Sequence, residues 1–181
     1  MEGYTNVGNG NNICLIGYMG SGKSTVGRLA AKRLGLSFAD TDEFIEGREK
    51  RSIPDIFEKD GESFFRRLET GLLKELARDG LENTLLSTGG GIILAEENRT
   101  ELKSIGTVIY LRAEADTLYE RVRNDTGRPL LNTADVRGRI AGMLKIRAPL
   151  YEAASDHIID TDGLSVEQTV SAVEEIFKTA Q

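Results

Sequence analysis

The stretch "GYMGSGKS", residues 17–24, sets three glycines, a lysine and a serine directly behind the apolar run "NICLIG", residues 12–17. Gly17, four further residues, Gly22, Lys23 and Ser24 follow the pattern G-x-x-x-x-G-K-[ST] between a predicted strand and a predicted helix, the setting that gives the pattern meaning. Glycines let the backbone turn tightly enough for its N–H groups to point inward. The following helix offers its positive N-terminus, Lys23 adds a point charge, and Ser24 supplies a hydroxyl suited to Mg²⁺. With glycine near ~7% of residues, a chance match is expected less than about once in a hundred chains of this length. A plain flexible turn is therefore the poorer explanation. The loop is expected to cradle the β- and γ-phosphates of a nucleoside triphosphate, with Gly20, Ser21, Gly22, Lys23, Ser24 and Thr25 as nucleotide-binding residues.

Outward from this loop, apolar runs and helical stripes alternate. "NICLIG", "SFAD", "TLLST", "TVIYLR" and "HIID" read as short strands apolar enough to be buried on both faces. "STVGRLAAKRLG" closes on a C-terminal glycine, and "SFFRRLETGLLKELARDG" repeats Phe64, Leu68, Leu72 and Leu76 every four residues before Gly80. "ADTLYERVRND" and "SVEQTVSAVEEIFKTA" add two amphipathic segments. Alternating strand and helix mean βαβ units, hence an α/β fold with a parallel sheet covered on both sides. Ligands of such sheets bind beyond the carboxyl ends of the strands, where the glycine loop lies.

Composition narrows the setting. The chain of 181 residues is economically one domain over residues 12–181, behind a loose polar tail, "MEGYTNVGNGN", over residues 1–11. That tail lacks the charged and apolar regions of a secretory signal, and no apolar run approaches the ~20 residues of a membrane span. The single cysteine, Cys14, lies inside "ICLI" and reads as a buried strand residue in a reducing, cytoplasmic setting. A net charge of −6 argues against a nucleic-acid surface, so an anionic ligand must be met by a local cationic site.

Four further features bear on a second substrate. In "ADTD", Asp40 and Asp42 are two apart and would share a face if extended, although acids also gather at helix N-termini to offset the dipole. In "FFRRLE", Arg66 and Glu69 stand at i and i+3, a spacing whose usual meaning is an exposed salt pair. "STGGG" puts Gly89, Gly90 and Gly91 just behind a buried strand, at the end where ligands bind. "RNDTGRPLLN" breaks a helical pattern around Arg128, and "KIRAPLY" sets Arg147 ahead of Pro149; each also suits a plain surface loop or a helix stop.

Together these segments resemble shikimate kinase. "GYMGSGKSTVGRLAAKRLG", "DTDEFIE", "RSIPDIFEKDGESFFRRLE", "STGGGI", "GRPLL" and "RAPLYEAASD" occur in the family's order and approximate spacing, from about Ile13 to Ile159. The resemblance implies ATP-dependent phosphorylation of the 3-hydroxyl of shikimate, in the route to chorismate and the aromatic amino acids. It also implies a monomer with the three-layer P-loop kinase fold of nucleoside monophosphate kinases: a five-stranded parallel sheet flanked by helices, with a mobile lid over about residues 124–135. Gluconate kinase is the nearest competitor among kinases that share the phosphate loop.

The family's roles carry over residue by residue. Arg66 and Arg147 match the two arginines that bind the acceptor's carboxylate, with Gly89, Gly90 and Gly91 giving backbone contact. Asp42 matches the aspartate at the ring hydroxyls, either removing a proton or orienting the hydroxyl. Glu69 would hold Arg66. Asp40 matches the residue that meets Mg²⁺ through water, alongside Ser24. Lys23 and the lid residue Arg128 would neutralise charge on the transferred phosphoryl, and Arg121 falls where the family sets an arginine against adenine. The loop "DTDGLS" should border the base, though it lacks a proline sometimes found there.

Three other conspicuous features take plain readings. His157 opens the last strand without a catalytic neighbour pattern, Pro54 starts a helix, and "AEEN" at residues 95–98 is a solvated helix N-terminus. The alternative from another class is a nucleotide-binding relative that has lost transfer. Against it stands the presence of Lys23, Ser24, Asp40, Asp42, Arg66, Arg128 and Arg147 at every matching place.

Overall fold

The computed structural model describes residues 11–123 and 135–180. Five parallel strands form one sheet: β1 (Ile13–Ile16), β2 (Ser37–Asp40), β3 (Thr84–Ser87), β4 (Thr107–Arg112) and β5 (His157–Asp160). Their order is β2-β3-β1-β4-β5, so the strand ahead of the glycine loop is central. Every residue of β1 and β3 is buried, as their apolar runs predict. The outer strands depart from that expectation. Each has one neighbour only, and β5 leaves His157 half-buried and Ile158 exposed, while Ser37 of β2 is exposed.

The helices are α1 (Lys23–Leu34), α2 (Thr41–Glu49), α3 (Ile53–Asp60), α4 (Glu62–Asp79), α5 (Glu96–Ile105), α6 (Ala115–Val122), α7 (Val136–Ala154) and α8 (Val166–Thr179). Alternation is thus not one for one. Three helices, α2 to α4, intervene between β2 and β3 and build a small lobe with its own core of Ile45, Ile56, Phe65 and Leu72. Two larger clusters fill the faces of the sheet. Cys14, Ile16, Leu86, Val108 and Tyr110 meet α5 and α7 on one side, and Leu15, Leu85, Ile109 and Leu111 meet α1 and α8 on the other. Each fully buried Leu or Ile contributes roughly 1.5–3 kcal/mol of transfer free energy. Helix α1 lies close on the sheet because Gly27 faces Phe38 and Leu85.

Capping follows sequence. Ser52 and Asp55 close a capping box at α3, with Pro54 in its first turn, and the glutamates at 96 and 97 open α5. Asn98 of the same acidic stretch is instead buried, donating to the Ile92 carbonyl at 2.9 Å. Asn12, also buried, plugs the amino end of the sheet: its amide donates to Leu81 and Ile105 carbonyls and its Oδ1 accepts from the Thr84 N–H.

Two helices correct their sequence readings. The four-residue stripe of α4 overshoots the 3.6-residue turn and drifts round the cylinder, so the deeply buried positions are Phe65, Glu69, Leu72 and Leu73. Glu69 is thereby in the wall and its pair with Arg66 is not a surface pair. Helix α7 does not stop near Arg147 but runs on through Pro149 to Ala154. The carbonyl that Pro149 leaves without a helical N–H belongs to Lys145, and both residues are exposed, so water can serve it.

Candidate active site

Chain leaving β1 turns at once. Gly17, Gly20 and Gly22 adopt φ values of 152°, 83° and 93°, a region costly for side-chain-bearing residues. A Cβ on Gly17 would also come within 2.7 Å of the Leu111 carbonyl oxygen. Lys23 opens α1 and bends back over the loop, its Nζ donating to the Gly17 carbonyl at 2.8 Å and the Tyr18 carbonyl at 3.0 Å. A cation and a helix N-terminus meet at the loop, as the motif requires. The loop floors a cavity of about 430 Å³ that also reaches Asp40, Asp42, Thr88, Gly90 and Arg121.

Asp40 and Asp42 reach the cavity by a route the extended reading missed. Asp40 ends β2 and caps α2, its Oδ1 accepting from the Asp42 N–H at 3.0 Å, while Asp42 sits in the first helical turn. The other Asp40 oxygen, Oδ2, accepts from Ser24 Oγ at 2.9 Å, and Ser87 Oγ lies 3.3 Å from the same hydroxyl. Two hydroxyls and a carboxylate are the hard oxygen donors that Mg²⁺ takes, and they lie beside Lys23 where phosphate would be. Among the described residues no three His, Cys, Asp or Glu side chains gather as a metal cluster, so a cation on Ser24 and Asp40 would keep water and phosphate ligands.

A second cluster of charged groups is built where α2, α4 and α7 meet the Gly89–Gly91 loop. Burial, then the neighbouring Asp40 charge, pushes the Asp42 carboxyl up to about 6, with Lys23 and Arg66 pulling the other way. Arg66 Nη1 donates to Glu69 Oε2 at 2.6 Å, and its Nη2 donates to Glu62 at 2.8 Å. Burial opposes the arginine's charge, but the two glutamates more than offset it and its pKa rises. Glu69 is completely buried, and burial pushes its carboxyl up to about 7 against the pull of Arg66. Asp42 Oδ1 and Glu69 Oε1 are buried oxygens without hydrogen-bond partners among the described residues, and both lie close to Gly89, where a Cβ would stand 2.7 and 2.8 Å from them. A Cβ on Gly91 would fall into the Arg66 guanidinium. Gly89 and Gly91 are thus crowded by charged groups, whereas a Cβ on Gly90 would lie 3.2 Å from the Met19 backbone nitrogen. Arg147 is buried in α7 with its guanidinium 5.9 Å from the Tyr18 ring centroid.

The family model for shikimate kinase matches residues 19–178. The chain belongs to the shikimate kinase family. A shikimate kinase of Burkholderia lata is 45% identical over 162 residues, which cover 90% of this chain and 87% of that protein. One of Methylococcus capsulatus is 46% identical over 153 residues, covering 84% of each. The solved shikimate kinase of Acinetobacter baumannii, determined in complex with shikimate, superposes with a TM-score of 0.88 at 38% identity and 94% coverage of each chain. The chain is accordingly a kinase with the P-loop kinase fold read from its sequence.

Against that family frame, the structure brings together Lys23, Ser24, Asp40, Asp42, Arg66 and Gly89–Gly91, with Arg147 in the wall. Arg121 stands apart at the cavity's far rim, donating to the Thr161 carbonyl at 3.1 Å and to Thr161 Oγ1 at 3.3 Å. That contact joins the phosphate loop's flank to the loop after β5, where the base is expected. Arg128 and residues 124–134 of the lid expected over about 124–135 lie outside the described residues, while Asp135 at its end caps α7, its Oδ1 accepting from the Gly138 N–H at 2.8 Å. Sequence reasoning missed three residues. Thr41 is fully buried and accepts from the Gly89 N–H at 2.9 Å, Thr161 receives Arg121, and the buried Tyr151 donates its hydroxyl to the Gly90 carbonyl. Only their presence inside "DTD", "DTD" and "APLY" could have hinted at them.

Proposed function

We propose that this chain transfers the γ-phosphoryl group of ATP to the 3-hydroxyl of shikimate, on the route to chorismate and the aromatic amino acids. The observation that carries the reading is the meeting at Gly89–Gly91 of the buried Asp42 and Glu69 carboxylates with Arg66, directly beside the phosphate loop. An acceptor with one carboxylate and several hydroxyls suits that arrangement. Arg66, held by Glu69 and Glu62, and Arg147 offer charge-assisted donors to the carboxylate, and Asp42 accepts from a hydroxyl next to the phosphate cavity. The Asp42 carboxylate either takes the hydroxyl's proton or aims its oxygen, since a loose phosphoryl-transfer transition state asks little of a base.

Lys23 supplies positive charge at the transferred phosphoryl, with Gly20 to Thr25 giving backbone and hydroxyl donors. Ser24 and, through water, Asp40 would hold Mg²⁺, which would supply positive charge against the phosphate oxygens. Arg128 from the lid would add a second cation, and Arg121 would flank the adenine. The protein is read as a monomer, as its family resemblance implies. The single buried Cys14 thiol, pushed up to about 12 by burial, fits a reducing cytoplasm. Among the described residues no helix is long and apolar enough to cross a membrane.

The test is ADP release from Mg-ATP with shikimate, gluconate or no acceptor, for the native chain and Asp42→Ala. Shikimate-dependent release falling about 10²-fold or more in the variant is expected, the scale of a positioned acid–base group. Release indifferent to shikimate would overturn the acceptor and the roles of Asp42, Arg66 and Arg147.

A further inference from the structure

A loop of three glycines cannot hold itself. Gly89, Gly90 and Gly91 carry no side chains, and glycine has the most backbone freedom to lose on ordering. Two of the three carbonyls are nevertheless occupied locally: Gly89 O accepts from the Ile92 N–H at 3.2 Å and Gly91 O from the Leu94 N–H at 3.1 Å. The Gly90 carbonyl has a different partner. It accepts from the hydroxyl of Tyr151, a fully buried residue 61 positions further along the chain. Burial raises the Tyr151 pKa well above its ordinary value, so the phenol keeps its proton and remains a donor. The ring is fixed by stacking on Tyr110, with centroids 4.9 Å apart.

A peptide unit is planar, so gripping the Gly90 C=O also sets the direction of the Gly91 N–H on the other end of the same plane. That N–H belongs to the glycine against which the Arg66 guanidinium lies. Tyr151 stands one helical turn beyond Arg147 on α7, so one rigid helix carries both an acceptor-site arginine and the grip on the acceptor loop. Thr41 gives the loop a second hold, its hydroxyl oxygen accepting from the Gly89 N–H at 2.9 Å.

We propose that Tyr151 is a positioning residue for the acceptor site: its hydroxyl fixes the Gly90–Gly91 peptide relative to Arg66 and Arg147. This rests on the acceptor reading given above, in which the same loop meets shikimate. Nothing in the assignment requires Tyr151 to touch substrate.

The experiment is steady-state kinetics of Tyr151→Phe, which removes one oxygen and keeps the stacked ring, with shikimate and ATP each varied. The expected result is a kcat/KM for shikimate lowered roughly five- to tenfold, the scale of one lost buried hydrogen bond, mostly through KM. KM for ATP should stay within about twofold and thermal unfolding should remain cooperative. Unchanged shikimate kinetics would overturn the proposal. So would a parallel rise in both KM values with a lowered melting temperature, which is the mark of a general structural role. Thr41→Val tests the second hold independently if Tyr151→Phe does not fold, and it must show the same selective rise in shikimate KM. In the double variant the two effects should combine to less than their product, since both act on one loop. Native protein without shikimate-dependent ADP release would instead sink the acceptor reading, separately from the grip.

Discussion

Gly89 shows how a single hydrogen atom in place of a methyl group can decide a site. It is buried in an ordinary backbone conformation, so alanine there meets no backbone penalty, only the two carboxylate oxygens of Asp42 and Glu69. Gly89→Ala should therefore leave the fold and ATP binding near native while pushing Asp42 off its place. We expect kcat/KM for shikimate to fall on the order of 10²-fold, as for displacements of about 1 Å at reacting groups, measured against an ATP KM that hardly moves. The glycines, Lys23 and Ser24 were legible in sequence because a local motif carries their physics. Thr41 and Tyr151 were not, because each serves a backbone group 48 or 61 positions away and leaves no periodic trace.

At the scale of elements, the five strands were legible from their apolar runs, whereas the helical lobe over residues 41–79 was read only as parts. A stripe written every four residues looks like a helix but misplaces its face, which is why Glu69 looked like a surface partner. Glycine within helices tells a similar story of context. Gly142 in α7 is exposed with nothing near its missing Cβ, so Gly142→Ala should stabilise by about 0.5–1 kcal/mol. Gly27 in α1 is the opposite, since a Cβ would stand 2.8 Å from Phe38 and 2.9 Å from Leu85. Overpacking of roughly 1–3 kcal/mol outweighs the helical gain, and Gly27→Ala should lose about 1 kcal/mol net. Paired urea or thermal melts of the two variants should move in opposite directions.

Across the whole molecule, the buried carboxylates of the site make stability depend on pH. Glu69 holds its proton up to about pH 7 in the fold, against 4.5 as its ordinary value, so the folded state binds that proton more tightly than the unfolded chain does. Its contribution is fully present below the ordinary value and is lost as pH rises through about 7. Urea unfolding should thus show native stability declining from pH 5 to 7.5 by an amount on the order of 2 kcal/mol, with Glu69→Gln giving a visibly flatter profile even if it is less stable throughout. An equally steep profile in that variant would assign the slope elsewhere, with Asp42, shifted in the same direction, the next group to examine. The glycine loops behind β1 and β3 both emerge from the carboxyl ends of strands, away from the amino end of the sheet. Asn12 closes that end, the exposed Asn11 precedes it, and β1 separates them from Gly17 by four residues, roughly 13 Å at the rise of a strand. A tether that enters the fold at Asn11 would therefore meet the sheet at the end away from the glycine loops behind β1 and β3.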